Sequence, residues 1–429
     1  MERRRFVTGI LAAGAAAGFR LPMLDAADYR GKLFVFVQAD GGWDPTSFCD
    51  PKTNTPGEPA INNWADSAEV GQAGNIRYAP FARNREFFEK YYRRMLVING
   101  VDAQTNSHTA GVTHNWSGRI SEGYPTTTAL LAADNGADLA MPYLTFGGFS
   151  RTESLTPFTR LDNPERHLNI AAPEAAPDSP DLPYLQEEDW AMLRRYRAAR
   201  IERLASAPNL LPRAARNRRL YEAALLPKAS EGLRLFAELV RQQRQLAEED
   251  RDPNNRFWSR LRRQAQLAVL AFEAGVAVSA DLFLGGFDTH DDHDQDHGWL
   301  LGNLTDSVDY LWDYAEVHGV ADRLVVVMGS DFGRTNRYNA DGGKDHWPIG
   351  SFLVMEKGQR WTNRVVGETD ELHFARRVNP ASLRRDDANG TLIHPAHVHK
   401  ALRRYLGVEN SLGGQRFPFR GTEDLRLFG

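Results

Sequence analysis

The sequence predicts an α/β protein built on an open, mostly parallel sheet, covered by helices on both faces and interrupted by a helical insertion. Three observations carry that expectation. Continuous apolar, β-branched runs recur along the chain, which is how strands buried on both faces of a parallel sheet read. Helical patterns separate several of these runs, and strands alternating with helices build a sheet covered on both sides. A basic helical stretch stands apart in composition from an acidic remainder. The 429 residues are 42% hydrophobic, 10% aromatic and 25% charged, a globular composition that excludes disordered, collagen-like and coiled-coil classes. With 52 Lys and Arg against 56 Asp and Glu, the net charge of −4 argues against a general nucleic-acid or membrane-surface binder. No apolar run approaches the ~20 residues needed to span a bilayer. The one cysteine, Cys49, allows no intramolecular disulfide and reads as a small buried side chain.

In chain order, Met1-Glu2-Arg3-Arg4-Arg5-Phe6-Val7 and the soft Ala/Gly-rich stretch from Thr8 to Phe19 resemble a twin-arginine export signal, so residues 1–28 are expected to be a targeting segment. Leu33 to Val37 reads as the first buried strand. Met95 to Ile98, Tyr143 to Phe146, Val276 to Leu284, Leu324 to Met328 and Phe352 to Met355 repeat the pattern, and Trp299 to His318 reads as a helix. Between them, Asn163 to Tyr184 holds five prolines and reads as a linker. Leu185 to Leu270 is helical in pattern and carries 18 Lys or Arg against 11 Asp or Glu. The expected organisation is therefore a core of residues 29–162 and 271–429, with 163–270 inserted as linker and helical cap.

In such sheets ligands sit at the carboxyl ends of the strands, and the chemistry-bearing residues cluster there. Asp40-Gly41-Gly42-Trp43-Asp44 follows the first strand. Residues 288–297 hold five aspartates and three histidines, a density of like charge that calls for a cation. Asp288 and His290 are the expected metal ligands and His293 the reserve, while Asp294 and Asp296 suit the amino terminus of the following helix. Asp331 ends another strand, Arg334 beside it is a candidate anion binder, and His346 lies in a Gly-rich loop. Carboxylate and imidazole together suit zinc, with manganese or calcium as alternatives. The dispersed set matches a two-metal centre in which a pair of cations clamps a tetrahedral anion, so one or two ions are expected. The loop before the next helix offers Thr105, Ser107 and Thr109, of which Ser107 leads as a hydroxyl nucleophile, although hydroxyl residues there are also ordinary helix caps. The run from Ile393 to Leu402, rich in histidine, opens a helix and reads as structural.

The segments QADGGWD, TNSH, EAGVAVSADLFLGGFDTH, LVVVMGSDFGRT, GGKDHW and HPAHVHKALRRYLGV together resemble the alkaline phosphatase and sulfatase-like superfamily. Within it, the chain resembles an uncharacterised bacterial family exported by the twin-arginine route. The resemblance implies an alkaline-phosphatase-like fold, Asp40 and Asp331 on one metal, Asp288, His290 and His346 on another, and a hydroxyl nucleophile near Ser107. Phe332 stands where phosphatases of the superfamily usually place a histidine. The expected function is an exported, metal-dependent hydrolase of phosphate or sulfate esters in the periplasm or outside the cell. Its expected partners are an anionic ester or glycan and the twin-arginine translocase, with no nucleic acid and no transmembrane domain. The alternative is a catalytically inactive protein of the same fold that binds envelope glycans or anionic polymers.

Overall fold

The computed structural model describes residues 29–147, 149–161, 187–207, 227–249 and 260–429, with a few single positions between 211 and 222. The expected export segment 1–28 and the expected proline-rich linker 163–184 lie outside the described residues.

The strands are β1 (Leu33–Ala39), β2 (Gly71–Ala73), β3 (Ile76–Tyr78), β4 (Met95–Asp102), β5 (Tyr143–Thr145), β6 (Thr159–Arg160), β7 (Ser279–Leu284), β8 (Leu324–Ser330), β9 (Gly333–Arg334), β10 (His346–Trp347), β11 (Ile349–Glu356) and β12 (Arg364–Val366). The helices are α1 (Asn84–Tyr91), α2 (His108–Ser117), α3 (Thr127–Asn135), α4 (Glu187–Ala205), α5 (Pro227–Glu249), α6 (Arg260–Glu273), α7 (His293–Val317), α8 (Pro395–Tyr405) and α9 (Leu412–Arg416). The central sheet has the order β12-β4-β11-β8-β1-β7-β5-β6. Every neighbouring pair is parallel except the two made by β11. The fold is thus mixed α/β with a mostly parallel central sheet flanked by helices, as the sequence predicts.

Alternation along β1 divides the core. Leu33, Val35, Val37 and Ala39 face the layer of α6 and α7, whereas Phe34 and Phe36 face Trp116 of α2 and Val398 and Leu402 of α8. Both faces are covered, which is why β1 reads as an unbroken apolar run. Residues 260–270, expected at the end of the insertion, lie in α6, whose Leu261, Ala265, Ala268 and Leu270 are buried in the first layer. The strand expected from Val276 begins at Ser279, because Gly275 (φ +65°) closes α6 and 276–278 are still turning. The helix expected from Trp299 begins at His293, after Asp292 in the left-handed region.

Register fixes what meets at the sheet edge. Ala39 pairs with both Leu284 and Ser330, so Asp40, the chain after Leu284 and Asp331 emerge together. The antiparallel course of β11 places its first residue, Ile349, opposite Asp102 at the end of β4. The chain entering β11 therefore carries His346 to the same edge from which α2 departs.

Candidate metal centre

Gly41 and Gly42 turn the chain after β1 with φ of +115° and +86°. At Gly41 a Cβ would stand 2.4 Å from the Asp288 nitrogen, so no larger residue lets these two strand tips approach. The N–H groups of Gly41 and Gly42 donate to Oδ1 of Asp331 at 2.9 and 2.8 Å. Oδ2 of Asp331 lies 2.6 Å from Nδ1 of His108, the first residue of α2. Asp331, fully buried, thus has hydrogen-bond partners at both oxygens. Asp40 is half-buried, and burial followed by the neighbouring Asp331 charge pushes its carboxyl up to about 6.

Three imidazoles converge on one oxygen of Asp288. Nε2 of His346, His290 and His108 lie 3.0, 3.1 and 3.3 Å from Asp288 Oδ1, and Nε2 of His290 is 3.0 Å from that of His346. Each ring is anchored through its other nitrogen: His108 Nδ1–H donates to Asp331, His290 Nδ1–H to Asp345 Oδ1 at 2.9 Å, and His346 Nδ1–H to the Asn106 carbonyl at 2.8 Å. A proton fixed on Nδ1 leaves each Nε2 as a lone pair facing a carboxylate, and Nε2 of His108 is buried with no hydrogen-bond partner. Acceptors gathered around an acceptor repel one another unless a proton or a cation lies between them. Anchoring of each imidazole by an oxygen through its far nitrogen is the arrangement that orients metal-binding histidines. His108, Asp288 and His346 present their donor atoms within 4.8 Å of one another, and His290 adds a third nitrogen.

Asp288 is held ionised. Burial opposes its charge, but the hydrogen bond and positive charge of Arg334 outweigh it and hold the carboxyl well below the usual range. Arg334 is fully buried; it donates to the carbonyls of Gly42 and Lys344 at 2.9 Å each, to the Gly41 carbonyl, and to Asp288 at 2.6 Å. Expected as an anion binder, it binds the Asp288 carboxylate and ties it to the β1 turn. Phe332 packs its ring against His108 and His346, with centroids 4.8 and 4.7 Å away.

Behind the cluster lies a buried polar network. Lys344 Nζ donates to Asp44 Oδ2 at 2.6 Å and Asn62 Oδ1 at 2.8 Å. His293, expected as a reserve ligand, is fully buried here, with Nδ1 2.7 Å from Thr289 Oγ1 and Nε2 3.3 Å from Asp44. The Asp44 N–H donates to His297 Nε2. Because Thr289 sits between Asp288 and His290, this network fixes the loop that carries both.

Ser107 is the exposed N-cap residue of α2, and its side chain caps no helix N–H. It is flanked by Asn106, which anchors His346, and by His108. Thr105 is half-buried and its Oγ1 accepts the Ser107 N–H at 3.1 Å, while Thr109 is exposed. Asp294, expected to serve the helix start, lies in the first turn of α7 and also accepts from Asn63 and Tyr338. The carboxyl-terminal histidines are structural, as their position at a helix start suggests. His399 is buried, donates to the Asn115 carbonyl at 2.7 Å and accepts from Thr127, and His394 with His397 closes the start of α8. The residue missed in the sequence is His108. Its signal was its place immediately after a strand tip, at the head of a helix aimed at two other carboxylate-bearing tips.

The family described as "Protein of unknown function (DUF1501)" matches residues 31–414. The chain belongs to the DUF1501 family. That match covers the whole sheet and every residue of the cluster. No curated protein matches the sequence. Among solved structures, this DUF1501 chain is similar to the PsFucS1 sulfatase from Pseudoalteromonas sp., with 9% identity and a TM-score of 0.36 over 99% of this chain and 74% of that one. It is similar to the lipoteichoic acid synthase LtaP from Listeria monocytogenes, with 10% identity and a TM-score of 0.34 over 95% and 76%. It is also similar to TAB5 alkaline phosphatase, a mutant with Mg bound in its M3 site, with 9% identity and a TM-score of 0.33 over 78% and 95%. At TM-scores below 0.5 these likenesses assign the DUF1501 chain no activity.

Proposed function

We propose that this protein is an exported, metal-dependent hydrolase of phosphate or sulfate esters that holds one divalent cation, zinc foremost. The observation that carries the reading is the convergence of three Nδ1-anchored imidazoles on Asp288. Three nitrogens and one carboxylate oxygen fit the donor preference of zinc. His108, His290, His346 and Asp288 would hold the ion, and when bound it would supply Lewis-acid stabilisation to the oxygens of a tetrahedral ester. Asp331, Asp345 and the Asn106 carbonyl orient the imidazoles, and Arg334 orients Asp288. Ser107, exposed and between two residues tied to the cluster, remains the foremost nucleophile. Asp40 is available to exchange a proton at the strand tip.

The hydrogen bonds already made to Asp331 and the ring of Phe332 packed beside His108 support one cation rather than two. That packing also favours the second reading, an inactive protein of this fold that binds envelope glycans or anionic polymers. Export rests on the Arg3-Arg4-Arg5-Phe6-Val7 sequence, and the expected partners, an anionic ester or glycan and the export translocase, follow from the two readings together. The deciding experiment is elemental analysis of the folded protein paired with a screen of phosphate monoesters, diesters and sulfate esters. Bound metal with ester turnover that is lost in Ser107→Ala supports the hydrolase. Bound metal with no turnover, or no metal and no turnover after zinc loading, overturns the hydrolase and supports the binding protein.

A further inference from the structure

Away from the cluster, a cavity of 570 Å³ opens where the carboxyl end of α8, α9 and the following chain meet, lined by Lys400, Arg403, Glu409, Gln415, Phe419 and Arg420 among others. Its volume falls within the range of small-molecule sites and far exceeds that of a bare ion. Arg403 in its wall is 1% exposed. Its terminal nitrogens donate to the carbonyls of Phe417 at 2.7 Å and Pro125 at 3.3 Å, its plane lies 4.2 Å from the Phe419 ring centroid, and its Nε has no partner. Among the described residues no carboxylate forms an ion pair with it. A buried guanidinium without a counter-ion is costly, and burial lowers it to about 9.

The rest of the lining holds two more cations. Lys400 projects from the same helix, its ammonium donating to the Thr422 carbonyl at 2.6 Å and ion-paired with Asp424 at 2.7 Å. Arg420 is exposed and has no ion pair among the described residues. The one lining carboxylate, Glu409, is already engaged by Arg404 at 2.9 and 3.2 Å. Gln415 donates to the Asn410 carbonyl, so its side-chain oxygen is left as the acceptor for a neutral hydroxyl.

We propose that this cavity binds a small organic oxyanion of monosaccharide size, its carboxylate, phosphate or sulfate group paired with Arg420 and Lys400 in the field of the buried Arg403 charge and its ring lying beside Phe419. The site is separate from the metal cluster. Phe419 packs against Gly118, the residue that closes α2, whereas His108 heads that helix, roughly 15 Å away along ten residues.

The test is calorimetric titration of the whole chain with glucuronic acid, glucose 6-phosphate and glucose 6-sulfate, with glucose and inorganic sulfate as controls. Wild type, Arg420→Ala, Lys400→Ala and His346→Ala are compared; Arg403 is left intact because it is packed in the core. At least one sugar anion is expected to bind the wild type, roughly tenfold or more weakly after Arg420→Ala or Lys400→Ala, and unchanged after His346→Ala. Binding abolished by His346→Ala places the ligand on the metal cluster and overturns the proposal. Equal binding of glucose, equal binding of bare sulfate, or no heat from any sugar anion at millimolar concentration overturns it as well.

Discussion

Nδ1 of His108 lies 2.6 Å from Oδ2 of Asp331, whose other oxygen receives two backbone N–H groups of the β1 turn. The carboxylate is thereby oriented from one side and orients the imidazole on the other. Replacement of Asp331 by Asn keeps an acceptor for the glycines but turns an NH2 toward His108, which shifts the ring proton to Nε2 and removes a donor from the cluster. Zinc affinity measured by chelator competition is expected to fall about 10–100-fold, with the fold retained by circular dichroism.

Metal stoichiometry separates ligand from neighbour. One zinc per chain is expected in the wild type, little or none after His108→Ala, and an unchanged content after Asp40→Asn, because Asp40 lies outside the converging set. Loss of metal from Asp40→Asn would restore the two-metal expectation.

Chelation is expected to lower thermal stability. A cation that binds only the folded chain contributes about 2.7 kcal/mol when its free concentration is a hundredfold above Kd, so the Tm of wild type falls on EDTA treatment and rises again with zinc. His290→Ala is expected to abolish that difference between the two conditions.

Stability depends on pH through buried histidines. Burial lowers His399 to about 3 and His114 to about 4, and burial likewise lowers His373, whose ring nitrogens have no partner, to about 4. Their folded pKa values lie below the unfolded value near 6.5, so the unfolded chain binds more protons between these limits. The contribution is fully present above pH 6.5 and is lost as pH falls toward 3–4. Urea unfolding at pH 7 and pH 5 is expected to give a lower midpoint at pH 5, and His399→Gln is expected to reduce the difference.

Gly41 tests the closeness of the two tips. Gly41→Ala places a Cβ 2.4 Å from the Asp288 nitrogen at a φ of +115°. A destabilisation on the order of 1–3 kcal/mol and weakened zinc binding are expected together, read by urea unfolding and chelator competition.

The sheet was legible because burial on both faces leaves its mark residue by residue, as in the run from Leu33 to Val37. Asp288 and His290 were legible because charge crowded after a strand tip has few structural uses, and His346 through its place in a Gly-rich loop and the family resemblance. His108 was not, since one histidine beside Thr and Ser at a helix start looks like capping chemistry until register shows what it faces. For Asp331 and Arg334 the sequence gives residue type and position but not direction. Only the close approach at Gly41 and Gly42 shows that both point into the turn. β2, β3 and β6, of two or three residues each, are too short for any periodicity to show.

The four donors enter from the head of α2, from the loop after β7 and from β10, and no two of these segments are neighbours in the chain. A growing or unfolded chain therefore contains no fragment that presents the set, and capture of the proposed ion would report that the sheet has closed. If the protein crosses a membrane already folded, the identity of its metal is decided by what is available where it is made, whatever ions surround it where it works.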